Sequence, residues 1–429
     1  MAGQVSGAGS RLRAVTSGCV GNLVEWYDFY TYAAFSLYFA PAFFPGSDPV
    51  VQQLNAAVLF AFGFIARPLG GWLFGHYADR HGRRNAMMLS VLLMCGGSLA
   101  IAVLPTYATL GPLAPTLLGL ARVAQGLSLG GEYGASATYL SEIATPRHRG
   151  FYASFQHVTL IGGQLCALAV LIVLEQWLLT PEQLRDWGWR IPFALGAVLA
   201  LVALVMRKHM EETPQFLASQ MAARQTSALR DLLQHPRELL LVVGLTMGGT
   251  AAFYTYTTYM QKFLRLSVGL DAATTTLVTA GALLFALLLQ PLYGALSDHI
   301  GRRPLLIWFG LMGTLCTVPL LDALQSAKTA GAAFLLLAAA WLIVSGYTAI
   351  NAVVKAELFP ARVRATGVGL PYALTVSIFG GTAEPIALWF KASGNERGFY
   401  FYLTGMIAVS LLVYLGMRDT RRHGTLENS

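Results

Sequence analysis

Long apolar runs separated by short polar breaks dominate the pattern of the chain. Runs such as residues 86–104, 191–206 and 399–417 are long enough to cross a hydrocarbon core roughly 30 Å thick as α-helices. We place the breaks near residues 41–53, 79–85, 105–112, 143–150, 175–188, 208–237, 265–271, 298–304, 322–329, 359–364 and 391–397. This pattern predicts an all-α polytopic membrane protein with 12 transmembrane helices.

Composition supports a lipid environment. Hydrophobic residues make up 55% of the chain and charged residues only 12%, whereas soluble domains contain about 25% charged residues. Arg11 and Arg13 precede a first apolar run that contains Glu25 and Asp28. Charges inside the run and the lack of a small-residue cleavage site favour a retained helix over a signal peptide.

Basic residues are distributed unequally between the two sides of the predicted bundle. Most of the 29 Lys and Arg residues lie near the chain ends or in alternate breaks, among them Arg80, Arg83, Arg84, Arg302 and Arg303. The positive-inside rule places this side, with both termini, in the cytoplasm. The net charge of +8 therefore reflects membrane topology, and we expect no nucleic-acid partner.

Two polar segments recur about half a chain apart. Gly75-His-Tyr-Ala-Asp79-Arg80-His-Gly82-Arg83-Arg84 matches residues 294–303, and residues 142–150 match 357–365. The repeat predicts an N-terminal six-helix bundle (1–206) and a C-terminal six-helix bundle (238–429). Residues 207–237 are too polar to span a membrane and are predicted to form a cytoplasmic linker.

Eight charged residues lie inside the predicted spans, where each costs roughly 2.5–3.5 kcal/mol on insertion scales. They are Glu25, Asp28, Arg67, Arg122, Glu132, Lys262, Lys355 and Glu384. Such groups must pair, become protonated or line water. Glu25 and Asp28 share a helix face because they are three residues apart, and counting along the helices places them at the depth of Arg67 and Arg122. Protonation of one of these acids would release an arginine to bind an anionic substrate. Alternatively, the four charges only pair with one another and orient helices 1, 2 and 4.

The repeated Gly-x3-Asp-Arg-x-Gly-Arg-Arg pattern resembles the signature of the major facilitator superfamily, although His299 stands where a basic residue usually follows the Asp. Residues 22–29, 66–71, 125–133 and 187–193 resemble the metabolite:proton symporter family, and the similarity extends over about residues 16–415. The resemblance implies two pseudo-symmetric bundles that carry a solute with protons by alternating access. It also implies a bacterial inner-membrane location, no enzymatic activity and no cofactor or metal.

The substrate expectation rests on resemblance. Residues 151–156, 160–164, 256–262 and 354–357 are similar to family members that carry 2-oxoglutarate, which implies a small dicarboxylate. Another dicarboxylate, citrate, or a zwitterionic osmolyte such as proline or betaine remains an alternative. The predicted spans contain four cationic and four acidic residues, so their charges alone do not indicate an anionic substrate. A membrane enzyme or non-transporting sensor is a remote alternative, because the chain has no HExxH, GxSxG or P-loop motif.

The intramembrane charges and the family resemblance together define three sets of candidate residues. We expect the chain to act as a monomer. The proton-coupling set is Glu25, Asp28 and Arg122, where the resemblance implies an acid of helix 1 paired with Arg122. The substrate-binding set is Arg67, Arg122, Gln164, Tyr256, Tyr259, Lys262 and Lys355. Arg67 is chosen because arginine binds carboxylates bidentately, and Gln164 because the resemblance implies substrate contact. The gating set, from the repeated signature, is Asp79, Arg83, Asp298 and Arg302.

Gly126, Gly130 and Gly134 recur at four-residue spacing. No Gly-Lys-Ser/Thr sequence follows them, so the spacing favours close helix packing over a phosphate-binding loop.

Overall fold

The computed structural model describes residues 8–424 except 82, 131–136, 138–139, 142–143, 146, 209–231, 233 and 361–362. The side chains of residues 8–21, 75–76, 78–81, 83–84, 86–87, 203–208, 365 and 422 also lie outside the description.

Long helices follow one another in the first half of the chain. Within the described ranges they are α1 (Ala8–Phe43), α2 (Pro49–His81), α3 (Arg83–Val103), α4 (Leu113–Leu129), α5 (Arg149–Val173, continued by a π-helical turn, Leu174–Leu178) and α6 (Ile191–Lys208). Short helical pieces, Tyr107–Leu110, Pro181–Asp186 and Gly188–Arg190, lie between them.

The second half repeats this arrangement. Its helices are α7 (Pro236–Tyr254, then Thr255–Tyr259, Met260–Phe263 and Leu264–Val268), α8 (Ala272–Ile300), α9 (Arg303–Gln325), α10 (Ala330–Thr348 and Asn351–Leu358), α11 (Arg364–Thr375, Val376–Gly380 and Ala383–Ala392) and α12 (Glu396–Gly416). A short helix, Thr420–His423, follows. We call the side on which α1 begins and α12 ends the inner side, and the opposite side the outer side.

Length and composition confirm the predicted membrane spans. Among the described residues, eight helices are long and apolar enough to cross a membrane, and three shorter apolar helices accompany them. Large apolar side chains such as Trp177, Leu240 and Leu412 are more than two-thirds exposed on the outside of the bundle. Such a surface suits contact with lipid rather than water.

Local sequence explains where several helices begin and end. Asp271 caps α8 by accepting a hydrogen bond from the Thr274 amide at 2.9 Å, and bonding to Thr274 lowers the pKa of this carboxyl below its ordinary value. Gly269 ends α7 and Gly301 ends α8, each with a positive φ that glycine adopts without strain. The break predicted at 208–237 falls mostly outside the described residues, so the linker remains a prediction.

Glycines allow the closest helix contacts, as predicted for Gly126 and Gly130. A Cβ added to Gly126 would overlap the Gly63 carbonyl oxygen, and one added to Gly130 would overlap that of Arg67. The backbones of α2 and α4 therefore touch, which fixes Arg67 beside α4. Gly134 lies outside the described residues.

The two halves repeat one contact that the sequence analysis missed. Tyr38 of α1 donates a hydrogen bond to Glu175, and Tyr259 of α7 donates to Glu396 at 3.1 Å. In both pairs the partners are 137 residues apart. Both contacts lie near the outer ends of the helices, with Glu175 at the end of α5 and Glu396 at the start of α12.

Candidate substrate and proton site

Most of the predicted intramembrane charges lie inside the bundle. Glu25, Asp28, Arg67 and Arg122 are each 6% exposed or less. Lys262, Lys355 and Glu384 are also buried, whereas Glu132 lies outside the described residues. This placement agrees with the expectation that ions avoid lipid by facing the protein interior.

Asp28 lies in a network of hydrogen bonds among α1, α3 and α4. Its carboxylate accepts hydrogen bonds from the Ser98 hydroxyl and, at 2.9 Å, from the Gln125 side-chain amide. The Gln125 carbonyl oxygen accepts a hydrogen bond from Arg122 Nη1 at 2.5 Å. Gln125 thus bridges Asp28 and Arg122, which differs from the direct acid–arginine pairing that the family resemblance implied.

Sequence reasoning missed Gln125 and Ser98 as parts of this network. Gln125 follows Arg122 by three residues on α4, so the two share a helix face, and this spacing was a usable signal. Ser98 on α3 carries no comparable signal, because serine is common in membrane helices.

Aromatic rings pack around the two buried arginines. The Phe29 ring lies 4.4 Å from Arg67 Cζ and 4.5 Å from Arg122 Cζ. Further rings stack on Arg67 (Trp26 and Phe64) and on Arg122 (Tyr32 and Phe60) at 4.3–5.0 Å. These distances are typical of cation–π contacts, which cover the faces of a guanidinium.

Both guanidinium groups contain N–H donors that lack a hydrogen-bond acceptor. Nε and Nη2 of Arg67 and of Arg122 have no hydrogen-bond partner among the described residues. A buried donor without an acceptor is costly, so these atoms are suited to an anionic ligand.

Arg67 lines a cleft between the two halves. The cleft is lined by Asn22, Glu25, Trp26, Arg67, Leu129, Gly130, Gly369, Tyr372 and Ala373. The first half contributes α1, α2 and α4 to this cleft, and the second half contributes α11. The structure therefore brings the predicted residues Glu25 and Arg67 together at the interface between the halves.

Lys355 approaches the same cleft from the second half. Its Nζ lies 3.7 Å from the centroid of Tyr372, and Tyr372 lines the cleft. His157 of α5 is within electrostatic range of Lys355, and its ring lies 3.4 Å from the Asn351 side-chain nitrogen. A cation from each half thus lies in or beside the cleft.

The other predicted substrate residues lie away from this cleft. Lys262 Nζ is 3.2 Å from Glu384 and donates a hydrogen bond to the Ala33 carbonyl oxygen at 2.7 Å. Gln164 donates to the Thr257 carbonyl oxygen at 3.1 Å, and Tyr259 is bonded to Glu396. Tyr256 is buried in α7. None of these four residues lines the cleft as the structure describes it, and Arg122 is fully buried behind it without lining it.

The predicted gating residues of the second half join the two bundles on the inner side. The Asp298 carboxylate accepts hydrogen bonds from the Gly150 and Phe151 amides at 2.8 and 2.9 Å. These amides lie at the N-terminus of α5, where a negative charge is stabilised by the helix dipole. Arg302 of the same half lies 2.8 Å from Asp298 and 3.4 Å from Glu357. The side chains of Asp79 and Arg83 lie outside the described residues.

Comparison with known proteins agrees with this architecture. A sequence profile of the "Sugar (and other) transporter" family matches residues 14–238 and again residues 222–427. The chain is 53% identical over 405 residues to the alpha-ketoglutarate permease of Escherichia coli (strain K12), covering 94% of this chain and 93% of that protein. It is 33% identical over 421 residues to the citrate-proton symporter of Klebsiella pneumoniae, covering 96% and 93%.

A solved structure shares the fold at low sequence identity. The structure of a major facilitator superfamily proton:xylose symporter matches with a TM-score of 0.73 and 18% identity, covering 97% of this chain and 98% of that one. The family match in both halves, the relative at 53% identity and the shared fold agree with one another. The chain therefore belongs to the sugar (and other) transporter family, is a multi-pass membrane transporter and shares the fold of the xylose symporter.

Proposed function

We propose that this protein is a proton-coupled symporter of 2-oxoglutarate that works by alternating access in a bacterial inner membrane. The observation that carries the proposal is the cleft between the halves, which is lined by Glu25 and by Arg67, whose Nε and Nη2 have no hydrogen-bond partner among the described residues. The 53% identity to an alpha-ketoglutarate permease supports the choice of substrate. Both termini and the linker 207–237 then lie in the cytoplasm, and one monomer contains the complete cleft.

A dianion with carboxylates at both ends requires two cationic anchors. Arg67 suits the first carboxylate, because a guanidinium edge donates two parallel hydrogen bonds. Lys355 suits the second, because it approaches the cleft from the opposite half beside Tyr372. Binding both carboxylates would draw the two halves together, which is the event that alternating access requires.

The Asp28 network links protonation of Asp28 to the hydrogen bonds that hold Arg122. With Asp28 ionised, a charge-assisted hydrogen bond holds Gln125, and Gln125 in turn holds Arg122. Protonation of Asp28 removes that charge and weakens a bond of this kind by roughly half. Arg122 then interacts less strongly with its own half and more strongly with a bound anion, so proton and substrate favour each other.

Uptake into proteoliposomes tests the proposal. Labelled 2-oxoglutarate, succinate, citrate and proline are offered with and without an inward proton gradient, and protein-free liposomes serve as the control. We expect 2-oxoglutarate to accumulate only when the gradient is present. Accumulation of proline or citrate without accumulation of 2-oxoglutarate would show that the substrate assignment is wrong.

A further inference from the structure

The contact between Lys262 and Glu384 lies in the outer half of the bundle, away from the substrate cleft. Lys262 is fully buried on α7 and Glu384 is 5% exposed on α11, with 3.2 Å between Nζ and Oε1. Both residues belong to the second half. The pair is therefore electrically neutral within that half, without help from the first.

The same ammonium group reaches across to the first half. Lys262 Nζ donates a hydrogen bond to the Ala33 carbonyl oxygen of α1 at 2.7 Å. Its neighbour Gln261 donates to the Ala34 carbonyl oxygen at 3.2 Å, and Ser377 of α11 donates to the Phe64 carbonyl oxygen of α2 at 2.5 Å. Side chains of the second half thus bind backbone oxygens of the first half along one seam.

A similar contact lies on the inner side, but there the buried charge that crosses between the halves is negative. There Asp298 accepts hydrogen bonds from two backbone amides of α5 in the first half. Arg302 of the second half pairs with it at 2.8 Å and also lies 3.4 Å from Glu357 of that half. In both contacts a buried charge has an oppositely charged partner inside its own half and binds backbone atoms of the other half. When the halves separate, Lys262 and Asp298 each keep that partner, so each contact can open and close repeatedly.

The helices around the outer pair contain irregular turns. The segment Met260–Phe263, which carries Lys262, lies between the π-helical turns Thr255–Tyr259 and Leu264–Val268. The segment Ala383–Ala392, which carries Glu384, follows the π-helical turn Val376–Gly380. Turns of this kind are frequent at functional sites in helices.

From this geometry we propose that Lys262 and Glu384 are positioning residues that close the outer side of the transport pathway. Lys262 makes the contact with α1, and Glu384 neutralises it. Lys262 therefore serves outer closure instead of substrate binding. This inference rests on the alternating access proposed above, but not on the identity of the substrate.

Thiol labelling from the outer side tests this role. A cysteine at Ala34→Cys, next to the Ala33 contact, is labelled in intact cells with a charged maleimide that does not cross membranes. The rate is normalised to the total thiol reactive after denaturation, and protein without the new cysteine provides the background. The test variant is Lys262→Met/Glu384→Gln, which removes both charges together and leaves none unpaired.

We expect this double variant to be labelled about tenfold faster or more, as loss of a hydrogen bond to a charged group predicts. Glu384→Gln alone should also raise the rate, because the ammonium loses its neutralising partner, and it gives a second test if the double variant does not reach the membrane. Lys262→Arg, which keeps the charge and donors, should stay near the parent rate.

Arg397→Gln/Asp322→Asn is the control. This ion pair also lies on the outer side, at 2.9 Å, but it connects α12 to α9 within the second half, so its loss should leave labelling unchanged. Unchanged labelling in Lys262→Met/Glu384→Gln and in Glu384→Gln, or an equal increase in the control, would overturn the proposal. Failure of 2-oxoglutarate transport in the parent would instead overturn only the substrate assignment, since labelling needs no substrate.

Discussion

At the scale of single residues, the two buried arginines combine aromatic contacts with hydrogen-bond donors that have no partner among the described residues. The Phe29 ring lies within 4.5 Å of the central carbon of both Arg67 and Arg122. Nε and Nη2 of both groups have no acceptor there, so the aromatic contacts leave these donors available. The arrangement fixes the orientation of Arg67 without using the atoms that a carboxylate needs.

Arg67→Lys should therefore impair binding while preserving the charge. Lysine neither stacks as a plane nor donates bidentately, and loss of one charge-assisted hydrogen bond corresponds to about 1.5–3 kcal/mol. We expect the apparent KM for 2-oxoglutarate to rise about 10- to 100-fold in initial-rate uptake by proteoliposomes.

Arg397→Lys provides the control, because Arg397 forms an exposed ion pair with Asp322 on the outer surface. Its KM should stay within about twofold of the parent, as expected for a surface pair worth less than about 1 kcal/mol. A parental KM in Arg67→Lys would remove Arg67 from the substrate site.

Sequence alone predicted which charges lie inside the membrane, but only part of their arrangement. Depth along a helix follows from counting residues, since each adds 1.5 Å, and this grouped Glu25, Asp28, Arg67 and Arg122 correctly. Contacts across helices depend on rotation and crossing, which counting does not give. Gln125 was therefore missed as the bridge to Asp28, and the contact between Lys262 and Glu384 was not predicted.

At the scale of helices, the contact between α2 and α4 depends on glycine. A side chain at Gly126 would collide with the backbone of Gly63, and backbone atoms cannot move aside as a flexible side chain can. The small-residue spacing in the sequence was sufficient to predict this packing, though not the partner helix.

Gly126→Ala should destabilise the protein by about 3 kcal/mol, the upper part of the usual range for overpacking. Thermal unfolding of purified protein in detergent measures the effect as a fall in Tm. Gly96→Ala on α3 is the matched control, because nothing lies within 4 Å of a Cβ added there. Its Tm should stay the same or rise, since alanine favours helix by about 1 kcal/mol. Equal Tm values for the two variants would refute the close contact.

The inner contact of Asp298 with the N-terminus of α5 predicts a second effect at this scale. Asp298→Asn removes the negative charge to which two amides of α5 donate hydrogen bonds and with which Arg302 pairs. Charge-assisted hydrogen bonds are about twice as strong as neutral ones, so the inner closure should weaken by about 1–2 kcal/mol.

Labelling of a Ser154→Cys variant in inside-out vesicles measures that closure, because Ser154 lies against Gly294 between α5 and α8. We expect labelling about tenfold faster with Asp298→Asn than without it. Asp419→Asn is the control, since Asp419 caps inner-side backbone amides of its own half at Arg303 and Arg421. Faster labelling in this control alone would contradict the assigned gate.

At the scale of the whole molecule, the two halves are variations of one unit. The family profile matches each half separately, and the repeated signature in the sequence predicted this division. The repeat could not predict which of its copies forms a given contact. The structure shows opposite charges at the two ends of the interface, Lys262 on the outer side and Asp298 on the inner side. The cleft lies between these contacts, so opening one while the other stays closed exposes it to one side at a time.

The central claim is that 2-oxoglutarate and protons move together because Asp28 controls Arg122. Its most direct test measures uptake of labelled 2-oxoglutarate and internal pH in the same weakly buffered proteoliposomes. For the parent protein we predict uptake with simultaneous acidification of the interior. For Asp28→Asn we predict exchange of internal for external 2-oxoglutarate without acidification or accumulation. Acidification at the parental rate in Asp28→Asn, or uptake by the parent without acidification, would contradict the account.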